Sequence, residues 1–214
     1  GEDVYLYYNL LNSNFNGTFI EIGAMDGVRY SNTKFFEDNL NFRGILIEPS
    51  TDLFSKLKKN RPNNYLFNYA VSNLKGKQKF IGTGATGGLS KTMTEKHKTS
   101  WEKNSKEYYV NSLPIKDIIK KTDIKYIDLF SIDAEGGELL ILNTFDWNIP
   151  VYIIVIELSN DDKIKDDKCR QLLREKNFTF HIKIGINEFW INKSYFRKDK
   201  LFKPKKTEDI KKLS

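Results

Sequence analysis

Two apolar runs constrain this chain most: Ile127-Asp128-Leu129-Phe130-Ser131-Ile132, and the β-branched stretch from Val151 to Ile156. Both have strand length, and the second reads as a strand covered on both faces. Between them, Glu135 to Thr144 carries Leu139, Leu140 and Leu142 and predicts a helix. The same alternation runs upstream. Thr18 to Ile22 and Gly44 to Glu48 read as strands, and Pro49 closes the second. Phe35, Phe36 and Leu40 recur at helical spacing between Asn32 and Leu40. Ser50 or Thr51 can cap a helix bearing Leu53, Phe54 and Leu57. Tyr65 to Val71 reads as a third strand, Asp3 to Leu11 as a leading helix, and Asp161 to Lys176 as a surface helix. Tyr109 to Leu113 is followed by a short helix from Pro114. Phe178 to Ile184 and Glu188 to Ile191 read as an antiparallel pair turned at Gly185-Ile186-Asn187. Strands alternating with helices imply a mainly parallel sheet with helices on both faces, and ligands bind such sheets at the carboxyl ends of the strands.

The 214 residues suit one α/β domain spanning 1–214, and the start at Gly1-Glu2-Asp3 is compatible with a piece of a longer chain. The exception to the regular pattern is a polar insertion, 82–108, rich in glycine and weak in periodicity. Such stretches serve as binding loops or as plain surface. The formal charge is +7, with a dense patch at Lys203-Pro204-Lys205-Lys206. Solvated surface is its ordinary reading, so a nucleic-acid partner is not the first expectation. One cysteine, Cys169, and two histidines exclude an internal disulfide and make a structural zinc site implausible. No apolar run approaches the roughly 20 residues that cross a bilayer, and no signal peptide is visible. A cytoplasmic or intracellular setting is expected, and the oligomeric state is open.

Four strand ends carry chemistry. The first is Glu21-Ile22-Gly23-Ala24-Met25-Asp26-Gly27, where Gly23 and Gly27 permit a tight turn close to a ligand. The loop lacks the G-x-G-x-x-G of dinucleotide binders and the Gly-Lys-Ser/Thr of phosphate-gripping loops. Its acidic residues suit a ligand with an ammonium group, hydroxyls and a cationic sulfonium, as in S-adenosylmethionine. A simple turn after a strand is the alternative. The second is Glu48, placed to accept from two ribose hydroxyls, or to sit as a surface carboxylate. The third is Asp133-Ala134-Glu135-Gly136-Gly137-Glu138. Asp133 could act as general base, orient an acceptor hydroxyl or bind a divalent cation such as Mg. Glu135 and Glu138 suit a helix N-terminus, and Glu138 reads as structural. Glu157 could join Asp133 in a metal site, contact the acceptor, or serve as a salt-bridge partner.

These stretches, with KKNRPNN, NYAVSN and GINEFWINKSY, resemble the FkbM-type methyltransferases along nearly the whole chain. The resemblance implies a Rossmann-like class I methyltransferase with a mainly parallel seven-stranded sheet ending in an antiparallel hairpin strand. It implies that Glu21, Gly23, Ala24 and Asp26 line the methionine end of S-adenosylmethionine, and that Ser31 and Asn32 help hold its carboxylate. Glu48, followed by Pro49, would bind ribose; Ala70, Val71 and Ser72 would flank adenine; and Asp133 would face the methyl group. Relatives often have His after the strand-five Glu, where this chain has Leu158, so no His-based role carries over there. Transfer to a hydroxyl of a sugar or glycan is the expected activity, with Asp133 and Glu157 as catalytic residues. Gly88, Leu89, Trp101 and Tyr108 of the insertion are expected at the acceptor. An RNA ribose methyltransferase and a non-catalytic cofactor-binding module are the alternatives. Adenine amino-methylation is disfavoured because no Asp/Asn-Pro-Pro-Tyr segment is present, and pyrimidine-carbon methylation because Cys169 lacks a Pro-Cys motif.

Overall fold

The structure, a computed structural model, describes residues 1–11, 16–82, 86–93 and 106–195. Trp101, His97 and the 203–206 basic patch lie outside the described residues. The strands are β1 (Thr18–Ile22), β2 (Arg43–Ile47), β3 (Tyr65–Phe67), β4 (Ala70–Val71), β5 (Gly76–Ile81), β6 (Gly88–Leu89), β7 (Glu107–Leu113), β8 (Ile127–Ile132), β9 (Val151–Glu157), β10 (Thr179–Ile184) and β11 (Asn187–Ile191). The helices are α1 (Glu2–Leu6, continued by a wider π turn, Tyr7–Leu11), α2 (Lys34–Leu40), α3 (Thr51–Asn60), α4 (Ile115–Ile119), α5 (Glu138–Thr144) and α6 (Lys163–Glu175).

Seven strands form the main sheet in the order β10-β11-β9-β8-β1-β2-β3. The run from β3 to β9 is parallel, and β11 pairs antiparallel with both β9 and β10. This is the Rossmann-like architecture expected from the alternation of strands and helices. Side-chain alternation explains the two apolar faces. In β9, Ile154 and Ile156 join one core cluster with Phe130, Ile141 and Trp190. Ile153 and Val155 point the other way, to Phe19, Phe36 and Leu46. Both faces are therefore buried, as the apolar runs require. Among the described residues no helix is long and apolar enough to cross a membrane.

The expected strand over 65–71 is split in two. β3 stays with β2, whereas Ala70 and Val71 cross to pair with Ser112 and Leu113 of β7. They enter a second, four-stranded sheet ordered β4-β7-β5-β6. β5 pairs antiparallel along β7, from Gly76 opposite Ser112 to Ile81 opposite Glu107. The expectation of a structureless 82–108 is corrected at its described ends: Gly88 and Leu89 pair with β5, and β7 already begins at Glu107. β5 escaped the sequence pattern because Gly76-Lys77-Gln78-Lys79 is largely solvent-facing and only Phe80 and Ile81 are buried.

Phe130 lies fully buried at the centre of the main sheet, its ring 5.3 Å from that of Phe145. Phe130→Ala is expected to destabilise the fold by about 3–5 kcal/mol, read as a lower urea midpoint with an unchanged denaturant slope.

Candidate active site

Register builds the site. Ile22 of β1 lies level with Ile47 of β2 and with Ile132 of β8, and Ile132 lies level with Ile156 of β9. The next residues, Glu48, Gly23, Asp133 and Glu157, therefore form one row across four neighbouring strand tips. Strands stand about 4.8 Å apart, so four residues scattered over the sequence fall within about 15 Å. The ladder continues into the row: Gly23 N–H donates to the Ile47 carbonyl at 3.1 Å and Asp133 N–H to that of Ile22 at 3.3 Å. Gly23 has φ +80°, and a Cβ there would run into the Asp133 carbonyl oxygen. Only glycine lets β1 turn so close to β8.

Above this row lies a crevice lined by Gly23, Met25, Glu48, Pro49, Ala70, Val71 and Asp133 among others. Ala70 and Val71 reach it because β4 leaves the main sheet. The Glu48 carboxylate is buried and accepts from Met25 N at 2.9 Å and Ser50 N at 2.8 Å. Burial pushes its pKa up to about 7, against the pull of the two backbone donors. Each oxygen keeps a lone pair, so the group can still accept from two vicinal hydroxyls. Gly87, Leu89 and Phe80 close the roof. Tyr108 packs on Phe80 at 5.4 Å, and its hydroxyl lies within hydrogen-bonding reach of Ser50. The described residues of the insertion thus cover the Glu48 end of the crevice.

At the other end the carboxylates crowd. Asp133 reaches solvent at the open mouth, but protein surrounds most of it. Burial, then the charges of Glu157, Glu135 and Glu138, and a hydrogen bond with Glu157 hold its pKa well above the usual carboxylate range. Asp133 and Glu157 thus form a hydrogen-bonded carboxyl pair. Glu135, at φ +47°, is pushed up to about 8 by burial and by the charges of Glu157 and Glu138. Glu138 has a structural task. It accepts from Ala134 N at 3.3 Å and Gly136 N at 3.0 Å, and pairs with Lys165.

Several expected ligand residues instead support the crevice from beneath. Glu21 is buried and does not line the crevice; it accepts from Ser31 Oγ, Asn32 N and Thr33 Oγ1 at 2.9, 2.8 and 2.6 Å. Burial raises its pKa, opposed by the Thr33 hydroxyl and by Arg61. Ala24 packs in the core. Asp26 caps its own turn by accepting from Val28 N and Arg29 N at 3.0 and 2.9 Å. Ser72 accepts from Lys91 Nζ at 2.8 Å. Ser31 and Asn32 line a second crevice that meets the first at Asp133.

Sequence reasoning missed Arg61. Its fully buried guanidinium donates to the Gly27 carbonyl, Ser31 Oγ and Thr33 Oγ1 at 3.0, 3.2 and 3.1 Å, pairs with Glu37, and lies 4.0 Å from Glu21. A buried arginine is rare enough to be a signal, but its partners lie 24 to 40 residues away in sequence. Among the described residues no group of three or more His, Cys, Asp or Glu is arranged to hold a metal ion. The Asp133/Glu157 pair has no third such ligand among the described residues, so these residues do not fit a resident metal. Cys169 faces the core rather than the surface, and burial pushes its thiol up to about 12, which removes it as a nucleophile.

Arg61→Met leaves buried Glu21 and half-buried Glu37 without their cation and is expected to cost about 3–5 kcal/mol, measured by urea unfolding. The raised carboxyls set a second expectation. Glu48 and Glu135 hold protons in the folded state up to about pH 7 and 8, but ordinarily release them near 4.5. The native state therefore binds more protons than the unfolded chain in that window, and stability falls as pH rises through it. Tm should drop between about pH 5 and pH 8, and Glu135→Gln should flatten the drop.

A family profile described as the Methyltransferase FkbM domain matches residues 21–180. A search of curated proteins found no match. Among solved structures, the chain is similar to Aeropyrum pernix fibrillarin in complex with S-adenosyl-L-methionine, with 7% identity and a TM-score of 0.48, covering 89% of this chain and 73% of that one. It is also similar to a precorrin-6y C5,15-methyltransferase from Geobacter metallireducens, with 12% identity and a TM-score of 0.46, covering 89% and 85%. A TehB-like S-adenosylmethionine-dependent methyltransferase from Corynebacterium glutamicum matches with 7% identity and a TM-score of 0.43, covering 90% and 87%. With the profile spanning most of the sequence, the chain belongs to the FkbM family of S-adenosylmethionine-dependent methyltransferases.

Proposed function

We propose that the chain methylates a hydroxyl of a sugar or glycan, with the Asp133/Glu157 carboxyl pair as the base. The observation that carries this reading is that the two carboxyls end adjacent, in-register strands and are hydrogen-bonded to each other, beside the Gly23 turn. Glu48 would receive the ribose hydroxyls of S-adenosylmethionine. Tyr69, Ala70, Val71 and Leu89 would form the apolar walls around adenine. The cofactor, when bound, supplies an electrophilic methyl carbon on a sulfonium, whose carbon–sulfur bond breaks as a carbon–oxygen bond forms.

The chain's own residues must hold the acceptor in line and take its proton. A sugar hydroxyl is a weak nucleophile. A carboxylate with a raised pKa is a stronger base than an ordinary one. One member of the pair accepts the hydroxyl proton, and its neighbour, already hydrogen-bonded to it, spreads the change in charge. Backbone contact between Gly23 and Asp133 fixes the base against the cofactor loop. Carboxylates at the mouth repel phosphodiesters, which disfavours RNA ribose as acceptor. A binding module without activity has no use for a crowded carboxyl pair, which costs stability.

The pH–rate profile tests the base. In the wild type, kcat/KM should rise along an acid limb whose apparent pKa lies above the ordinary carboxylate range. Removing the Glu157 charge lowers the pKa of Asp133, so Glu157→Gln should move that limb to lower pH. Asp133→Asn should reduce kcat by about 100-fold or more with cofactor affinity largely kept. An unshifted limb in Glu157→Gln, together with full turnover in Asp133→Asn, would remove the pair from the reaction.

A further inference from the structure

The charges that crowd Asp133, those of Glu157, Glu135 and Glu138, are all negative. Such strand tips repel one another, so the loops that carry them need a restraint. We propose that Lys165 is that restraint: a positioning residue that clamps the loop after β8 to the loop after β9 and so keeps Asp133 against Glu157. The clamp serves the carboxyl pair of the proposed reaction and rests on that reading.

Lys165 stands where a lysine is locally disfavoured. Asp162 caps the start of α6 by accepting from Lys165 N at 3.0 Å, which places Lys165 in the first helical turn. The positive end of the helix dipole favours acids there and opposes a cation. The Lys165 side chain is also only 15% exposed. Burial works against its charge, but Glu138 and Asp166 outweigh burial, and the ammonium holds its proton more tightly than usual. Its two carboxylate partners therefore hold it in place.

Each partner reaches a different loop. Lys165 Nζ pairs with Glu138, the first residue of α5. That carboxylate accepts from Ala134 N and Gly136 N, in the turn that directly follows Asp133. The same ammonium lies 3.2 Å from Asp166 Oδ1. Asp166 is fully buried, and its other oxygen accepts from Asn160 N at 2.8 Å, in the turn that follows Glu157. A continuous chain of charge-assisted contacts thus runs from the backbone beside Asp133, through Glu138, Lys165 and Asp166, to the backbone beside Glu157. Arg170 steadies the second loop by donating to Asn160 Oδ1 at 3.0 Å and to Glu188 Oε1 at 2.8 Å. Because β8 and β9 are adjacent and in register, a restraint between their loops sets the gap between the two carboxyls.

Charge and position act in opposite directions, which makes the role testable. Removing a cation by itself leaves a nearby carboxyl unchanged or binding its proton more tightly. Releasing the clamp lets Asp133 part from Glu157, which weakens proton binding at Asp133. Two variants are used. Lys165→Met removes the bridge. Asp166→Asn keeps the shape but turns an amide toward Lys165, and its lost charge is not among those that crowd Asp133.

The Asp133 titration is followed by carboxyl carbon NMR on protein loaded with S-adenosylhomocysteine, with Asp133→Asn for assignment. Both variants should move it to lower pH by about half a unit or more, about a threefold loss of proton affinity. A titration unmoved in Asp166→Asn, or unmoved or raised in a folded Lys165→Met, overturns the clamp. Methyl transfer from S-adenosylmethionine to methyl glycosides of glucose, galactose and mannose is measured in parallel. Lys165→Met should lower kcat about tenfold or more with affinity for S-adenosylhomocysteine unchanged, and Lys165→Arg should stay within about threefold of the wild type. Wild-type kcat in a folded Lys165→Met also overturns the positioning role. If no glycoside takes a methyl group, the sugar reading fails, and the Asp133 titration decides the clamp by itself.

Discussion

The buried guanidinium of Arg61 holds the site together. The loop after β1 must turn sharply over the sheet, and that leaves the Gly27 carbonyl and the hydroxyls of Ser31 and Thr33 in need of partners. Arg61, at the C-terminal end of α3, reaches all three and balances the buried Glu21 charge, while its plane stacks over Phe19 at 5.4 Å. Removing one partner leaves a charge buried without compensation, which costs far more than the pair gains by itself. The network therefore fixes the loop rather than merely adding stability. With the loop fixed, Met25 N points at Glu48 and Gly23 lies against Asp133.

A second constraint runs the other way. In-register parallel strands align their tips, so acidic residues ending adjacent strands are forced together. Asp133 and Glu157 end neighbouring strands β8 and β9, and Glu135 follows in the next turn. The crowding raises their affinity for protons and costs stability near neutral pH. In the proposed reaction the same crowding supplies the base. Strain of this kind is tolerated because the apolar faces of β8 and β9 are buried on both sides and supply the stability that the tips lose.

Much of this was legible in the chain. The apolar runs marked β1, β8 and β9 to within a residue, because a strand buried on both faces is built mostly of apolar and β-branched side chains. Pro49 and the glycines of 133–138 marked strand ends. The second sheet was not legible: β5 is mostly solvent-facing, and the crossing at Ala70 leaves no mark in composition. The division of labour within the loop was hidden as well. Glu21 and Asp26 look equivalent to Glu48 as acids beside a glycine turn. Only their hydrogen-bond partners show that the first two hold the loop and the third opens into the crevice.

The sequence by itself determined the alternating α/β order, the parallel core and the residue types at the strand ends, since these follow from periodicity and short-range sterics. Tertiary structure alone decided which acids pair with each other and which are buried supports. Those outcomes depend on register between strands and on Arg61 meeting groups 24 to 40 residues before it, which are long-range contacts that no local pattern encodes.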